Sequence, residues 1–256
     1  MGSDLYSLTT YGWFVAIACA GMVGMSKAGL PGLGAVAVPL MAMVFPPKLS
    51  TGILLPILIA GDVIGVSYFH RHADWKVLIR IIPMALVGIV IGFFIMRLKC
   101  VDDNFIRISI GVLILVLLGF KEILSHLKHD YLANLTPVQG VVVACFFGVL
   151  AGVTTLMANA AGPIMLIYML VLALPKNVLI GTSAWYFMVL NLTKFPFMIK
   201  LGLISKESLL FNAKLVPFVI VGCVIGIVIS KKMSSKSFEK WIVFLTVIAA
   251  LKLLWN

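Results

Sequence analysis

Residues 24–43 read GMSKAGLPGLGAVAVPLMAM: an apolar run that ends on Lys27, a break with three glycines and a proline, then a second apolar run. That second run, at about 35–45, has only about 11 residues, or about 17 Å as a helix. It cannot cross roughly 30 Å of hydrocarbon, so it is expected to enter the membrane partway. Irregular backbone at that depth is tolerated only where protein or a wet cavity surrounds it, which makes the break a candidate binding site. Residues 154–170, TTLMANAAGPIMLIYML, repeat the arrangement, with a break at Met157–Pro163 before another short run at about 163–174.

The rest of the chain supplies the membrane. Of 256 residues, 62% are apolar and 11% charged, with a mean hydropathy of +1.16. About 160 apolar residues, at roughly 20 per helical span, leave material for about eight spans. This excludes a secreted disulfide module, a nucleic-acid binder and a soluble enzyme, since too little chain remains outside lipid. The net charge of +11 lies mostly in short connections between apolar runs, where lipid headgroups are the expected partner. Cys19, Cys100, Cys145 and Cys223 are isolated and read as packing residues. The start, MGSDLYSLTTYGW, lacks the charged region of a cleavable signal, so the first helix is expected to be retained.

Further apolar runs fall at about 11–26, 50–69, 77–96 and 105–120, then at 138–155, 178–199, 209–230 and 239–255. Arg80, Pro83, Gly88 and Gly92 share their spacing with Lys214, Pro217, Gly222 and Gly226, and Asp62 falls opposite Asn191. The chain therefore reads as an all-α polytopic membrane protein of two repeats, 1–121 and 138–256, joined by a loop at 122–137. Each half has about five segments, the first pair broken or partial. A hairpin followed by three crossings would return each half to the opposite face, so the repeats are expected to be inverted.

Lys27 is the most informative side chain, because a buried ammonium needs a partner. An anion held by Lys27 and by backbone N–H groups of the helix starting near Gly32–Gly34 would meet that need. Asn159, with Ala160 and Gly162, would approach the ligand from the second break. Asp62 could pair with Lys27 or Lys194, or carry a coupling proton, and Lys194 follows Asn191 by one helical turn. Thr182 and Ser183 could hydrogen-bond a ligand, while Trp185 reads as an interfacial anchor. His70, Arg71 and His72 lack the cluster a metal site needs, and His126 and His129 read as loop residues. No phosphate loop, HExxH or GxSxG motif is present, so the reading is no enzyme, no cofactor, no metal and a gradient as the driving force.

These two breaks, together with LPKNVLIGTSAWYFMVLNLTKFPF at residues 174–197, resemble the TauE/SafE sulfite-exporter family, and the resemblance covers nearly the whole chain. It implies a bacterial cytoplasmic-membrane transporter for sulfite or an organosulfur anion such as a sulfonate. It places the site at Lys27, Gly29, Gly32, Gly34, Pro39, Asn159, Gly162, Pro163, Thr182 and Ser183. The combined expectation is a secondary transporter working by alternating access, with a small anion and the bilayer as partners. A proton is the preferred coupling ion, sodium the other, and a homo-oligomer is left open. The rival readings are a passive anion channel and a transporter of a non-sulfur organic anion.

Overall fold

A computed structural model of the chain describes residues 6, 8–98, 104, 108, 112, 115 and 137–255. Most of the fifth apolar run of the first half, the connecting loop up to residue 136, Cys100, His126 and His129 lie outside the described residues. Within them the first series comprises α1 (Thr10–Ala28), α2 (Leu33–Met41), α3 (Pro47–Phe69) and α4 (Trp75–Arg97). The second comprises α5 (Pro137–Ala158), α6 (Ala161–Val171), α7 (Lys176–Lys200), α8 (Lys206–Lys232) and α9 (Ser235–Trp255). A single 3-10 turn, His70–His72, joins α3 to α4.

Local chemistry sets these boundaries. The Thr9 hydroxyl accepts the Gly12 N–H at the start of α1, and the Asp74 carboxylate accepts the Lys76 and Val77 N–H groups at the start of α4. Pro47 occupies the first turn of α3, where its missing N–H is harmless. Ser205 and Ser208 cap α8 reciprocally. α2 has 9 residues and α6 has 11, so neither can cross a bilayer. Among the described residues, α3, α4, α5 and α8 are long and apolar enough to do so. α7 is longer still by residue count than α3, but it carries Thr182, Ser183, Asn191, Thr193 and Lys194 in its middle.

The packing exchanges elements between the two series. One core cluster joins α1, α2 and α3 to Phe211, Leu215, Val219 and Cys223 of α8. The other joins α5, α6 and α7 to Leu78, Ile81, Ala85 and Ile89 of α4. The seams are close and matched. Gly24 of α1 lies against the Val219 carbonyl of α8, and Gly152 of α5 lies against the Ala85 carbonyl of α4. Gly222 abuts the Gly21 carbonyl as Gly88 abuts that of Val149, and Gly226 meets Met25 as Gly92 meets Val153. A Cβ on Gly24 or Gly152 would overlap backbone, which is how small residues let membrane helices approach. Thus α1 runs parallel to α8, and α5 to α4.

Between the two units, α3 and α7 cross the centre side by side and antiparallel. Asn191 bonds Asp62 midway, while Gly181 near the start of α7 packs against Phe69 and His72 at the end of α3. α4 and α8 turn Ile79, Phe94, Val221 and Val224 outward. These exposed apolar faces suit lipid.

Candidate functional site

Each short helix starts at the middle of the molecule. α1 ends when Gly29 and Leu30 both return their N–H groups to Met25, after which Gly32 takes φ 107° to start α2. Glycine is needed there, because an L side chain disfavours that region. α5 ends when Ala160 returns its N–H to Thr154 at 3.2 Å and Asn159 adopts φ 53°. Asparagine is among the few residues that tolerate the left-handed region. Neither α2 nor α6 has a side-chain cap or an acid in its first turn. The Leu33 N–H at the start of α2 returns to the Leu30 carbonyl at 3.4 Å, and the positive dipole end of each short helix is left without an acidic side chain.

A cavity of about 60 Å³ opens between these helix starts. One water requires about 10–15 Å³ of such space, so the cavity fits a few waters or one small oxyanion. Ser26 and Lys27 line it from α1, Gly32 and Gly34 from the first break, and Thr155, Asn159 and Gly162 from the second. Ser183, Phe187, Asn191 and Lys194 line it from α7. Val23, Val38, Leu54, Leu58, Leu166 and Ile180 complete an apolar wall that strengthens every polar interaction inside it.

Three ionisable side chains meet here. The Lys27 ammonium lies 2.8 Å from Asp62 Oδ1 and 4.3 Å from the centre of the Phe187 ring. The Asn191 amide donates to the other Asp62 oxygen at 2.5 Å, and Asp62 is fully buried behind Lys27. Lys194, also fully buried, donates to the Thr155 hydroxyl at 3.0 Å, the Thr155 carbonyl at 3.3 Å and Asn159 Oδ1 at 2.5 Å. The Asn159 amide nitrogen in turn donates to the Thr51 carbonyl of α3 at 2.9 Å. Among the described residues no carboxylate lies within ion-pair distance of Lys194.

The structure gathers Lys27, Gly32, Gly34, Asn159, Gly162, Ser183, Asn191 and Lys194 around one cavity, with Asp62 directly behind. Other residues singled out from sequence sit elsewhere. Gly29 packs against Gly226 and Ser230 of α8, where a Cβ would not fit. Ala160 is the buried residue preceding α6. Thr182 gives its oxygen to the Asp74 N–H at 2.9 Å and so ties α7 to the start of α4. Trp185 meets Trp75 in a tilted ring contact at 5.2 Å and does not line the cavity. Sequence reasoning missed Thr155 as a partner of Lys194, the Thr51 carbonyl under Asn159, and Phe187 under Lys27. The first had a signal, since Thr155 is a hydroxyl residue just before the second break; a backbone carbonyl and a ring face have none.

The chain matches a family described as Sulfite exporter TauE/SafE over residues 13–253. No curated protein and no solved structure gives a match.

Proposed function

Because the chain belongs to the sulfite exporter TauE/SafE family, whose members are membrane transporters of sulfite or related anions and not enzymes, we propose that its central cavity is the anion site. The observation that carries this is the charge balance: two lysines, one fully buried and one nearly so, face one cavity, and among the described residues the one carboxylate beside them is taken by Lys27. A small sulfur oxyanion would complete the set. Lys194 supplies the charge nearest the second break, Lys27 flanks it, and the starts of α2 and α6 contribute dipoles of the same sign. From α7, Asn191 keeps a second amide N–H beyond the one given to Asp62, and the Ser183 hydroxyl can donate to an anion by turning from Met169 Sδ, 3.1 Å away. Sulfite or a small sulfonate suits these donors, because its oxygens accept and do not donate.

Movement follows from the exchanged packing. The unit of α1, α2, α3 and α8 meets the unit of α5, α6, α7 and α4 along α3 and α7, and the cavity lies at that seam. Rocking one unit against the other opens the cavity to alternate faces, which is secondary transport by alternating access. The antiparallel run of α3 and α7 supports inverted repeats in the cytoplasmic membrane. Cysteines placed at 74 and 206 are then expected to label from opposite sides, and labelling from the same side would overturn the topology.

Thermal stabilisation of purified protein by sulfite, thiosulfate, methanesulfonate, taurine, sulfate, acetate and lactate tests the site. A ligand at about 100 times its Kd adds about 2.7 kcal/mol by mass action. A sulfur oxyanion is expected to stabilise the wild type and to do nothing for Lys194→Met. A shift confined to acetate or lactate would move the substrate outside sulfur chemistry, and no shift with any of them would overturn the reading.

A further inference from the structure

We propose that Lys194 is the group that carries the coupling proton, an amine when the cavity holds no anion and an ammonium when it does, so that one proton and one monovalent anion travel together. This rests on the anion site proposed above.

The hydrogen-bond geometry serves both forms. Asn159 cannot reverse its amide, because its nitrogen is committed to the Thr51 carbonyl, so Oδ1 must face Lys194. The Thr155 carbonyl is a second fixed acceptor. The Thr155 hydroxyl is the third partner, and a hydroxyl both donates and accepts. An ammonium gives its three hydrogens to these three oxygens. An amine gives two hydrogens to the fixed acceptors and takes the Thr155 hydroxyl proton on its lone pair. Only a hydroxyl rotation separates the two, and in both Lys194 Nζ, Asn159 Oδ1, the Thr155 carbonyl and Thr155 Oγ1 each keep a partner.

Asp62 lacks this freedom. One oxygen is paired with Lys27 and the other accepts from Asn191. Protonating it would set an O–H against existing donors and strip Lys27 of its anion. The charged groups around Lys194 are Lys27 from α1 and Asp62 from α3, which cancel. α5 faces Lys194 with Thr155 and Asn159, while α6 brings only Gly162 and Leu166 to the cavity. The protonation of Lys194 therefore sets the net charge of the cavity. An uncompensated charge at membrane depth is expensive, so amine, proton and X⁻ combine to a neutral ammonium–X⁻ pair with one N–H bond formed and none broken. A dianion would leave a net charge behind.

Methanesulfonate is the suitable probe, as the anion of a strong acid with no proton of its own. In weak buffer, wild-type protein is expected to take up about one proton per anion bound, and its affinity to fall about tenfold per pH unit in the alkaline limb. Lys194→Arg, permanently charged, is expected to bind without proton uptake and with a flat pH profile. In proteoliposomes, wild-type uptake is expected to ignore an imposed membrane potential, a measurement that needs no variant. Binding without proton uptake, wild-type uptake that follows the potential, or full proton uptake by Lys194→Arg would each overturn the assignment. Failure of methanesulfonate and every other anion to bind the wild type would instead bring down the cavity reading itself, and this inference with it.

Discussion

The two breaks place a lysine in matching positions by different means. At the first, Lys27 belongs to the end of α1 and meets Asp62 of α3. At the second, the matching end of α5 carries Thr155, and the lysine comes from α7 to meet it. The exchange is visible on the other side too: Gly65 of α3 lies against the Lys27 carbonyl, as Lys194 of α7 reaches the Thr155 carbonyl. Each half thus contributes one lysine to the same cavity, but among the described residues only the first half provides a carboxylate against it. One lysine is held by a charge and the other by dipoles.

That difference predicts unequal consequences, and removing the lysines is the largest test. Lys27→Met leaves the Asp62 carboxylate fully buried without its counter-charge, a change expected to cost about 3–5 kcal/mol of stability. Adding Asp62→Asn should recover most of it, by thermal or denaturant unfolding in detergent. Lys194→Met strands only neutral oxygens, at about 1–3 kcal/mol, and no change at Asp62 should rescue it. Equal losses, with equal rescue by Asp62→Asn, would erase the distinction between the two breaks.

The seams behind the breaks are predicted to behave alike. Gly24→Ala pushes a Cβ into the Val219 carbonyl and Gly152→Ala pushes one into the Ala85 carbonyl. Overpacking of this kind costs about 1–3 kcal/mol, and the two variants should lose stability to within about 0.5 kcal/mol of each other. A large loss in one alone would mean that the exchanged units are not equivalent. The paired variants also separate fold from site, since neither glycine touches the cavity.

The helices and the breaks were legible because each depends on local chemistry. A run too short to cross the bilayer, a glycine string and a buried lysine are properties of one segment. The matched spacing of Gly88 and Gly92 with Gly222 and Gly226 was readable for the same reason, and all four glycines lie on helix seams. What covers those glycines was not legible. Periodicity identifies a face that must be buried, yet whether α4 packs on its own series or on the other depends on the three-dimensional arrangement. Residue type is also ambiguous about use: Gly29 and Thr182 looked suited to a ligand, but a close helix approach needs glycine equally, and a helix start needs an oxygen equally. Lys194 stood out as an intramembrane charge, whereas its bonds to Thr155 and Asn159 join α7 to the end of α5 and could be read only once both were placed.

The smallest predicted effect on stability sharpens the comparison at the helix starts themselves. Gly34 is the second residue of α2 and Gly162 the second of α6, and both line the cavity. A Cβ on Gly34 would meet the Ser26 hydroxyl at 3.1 Å, so the α1 end must yield slightly. A Cβ on Gly162 meets nothing within 4 Å. Alanine in place of helical glycine is worth about 0.5–1 kcal/mol, so Gly162→Ala should leave the melting temperature unchanged or raise it. The added methyl nevertheless takes space that an anion would fill. Its expected signature is a fold as stable as wild type with weaker binding, and a larger loss for ethanesulfonate than for sulfite. If Gly162→Ala instead binds both anions as tightly as wild type, the open space beside Gly162 is not where the ligand sits, and the site must be redrawn toward Lys27 and the first break.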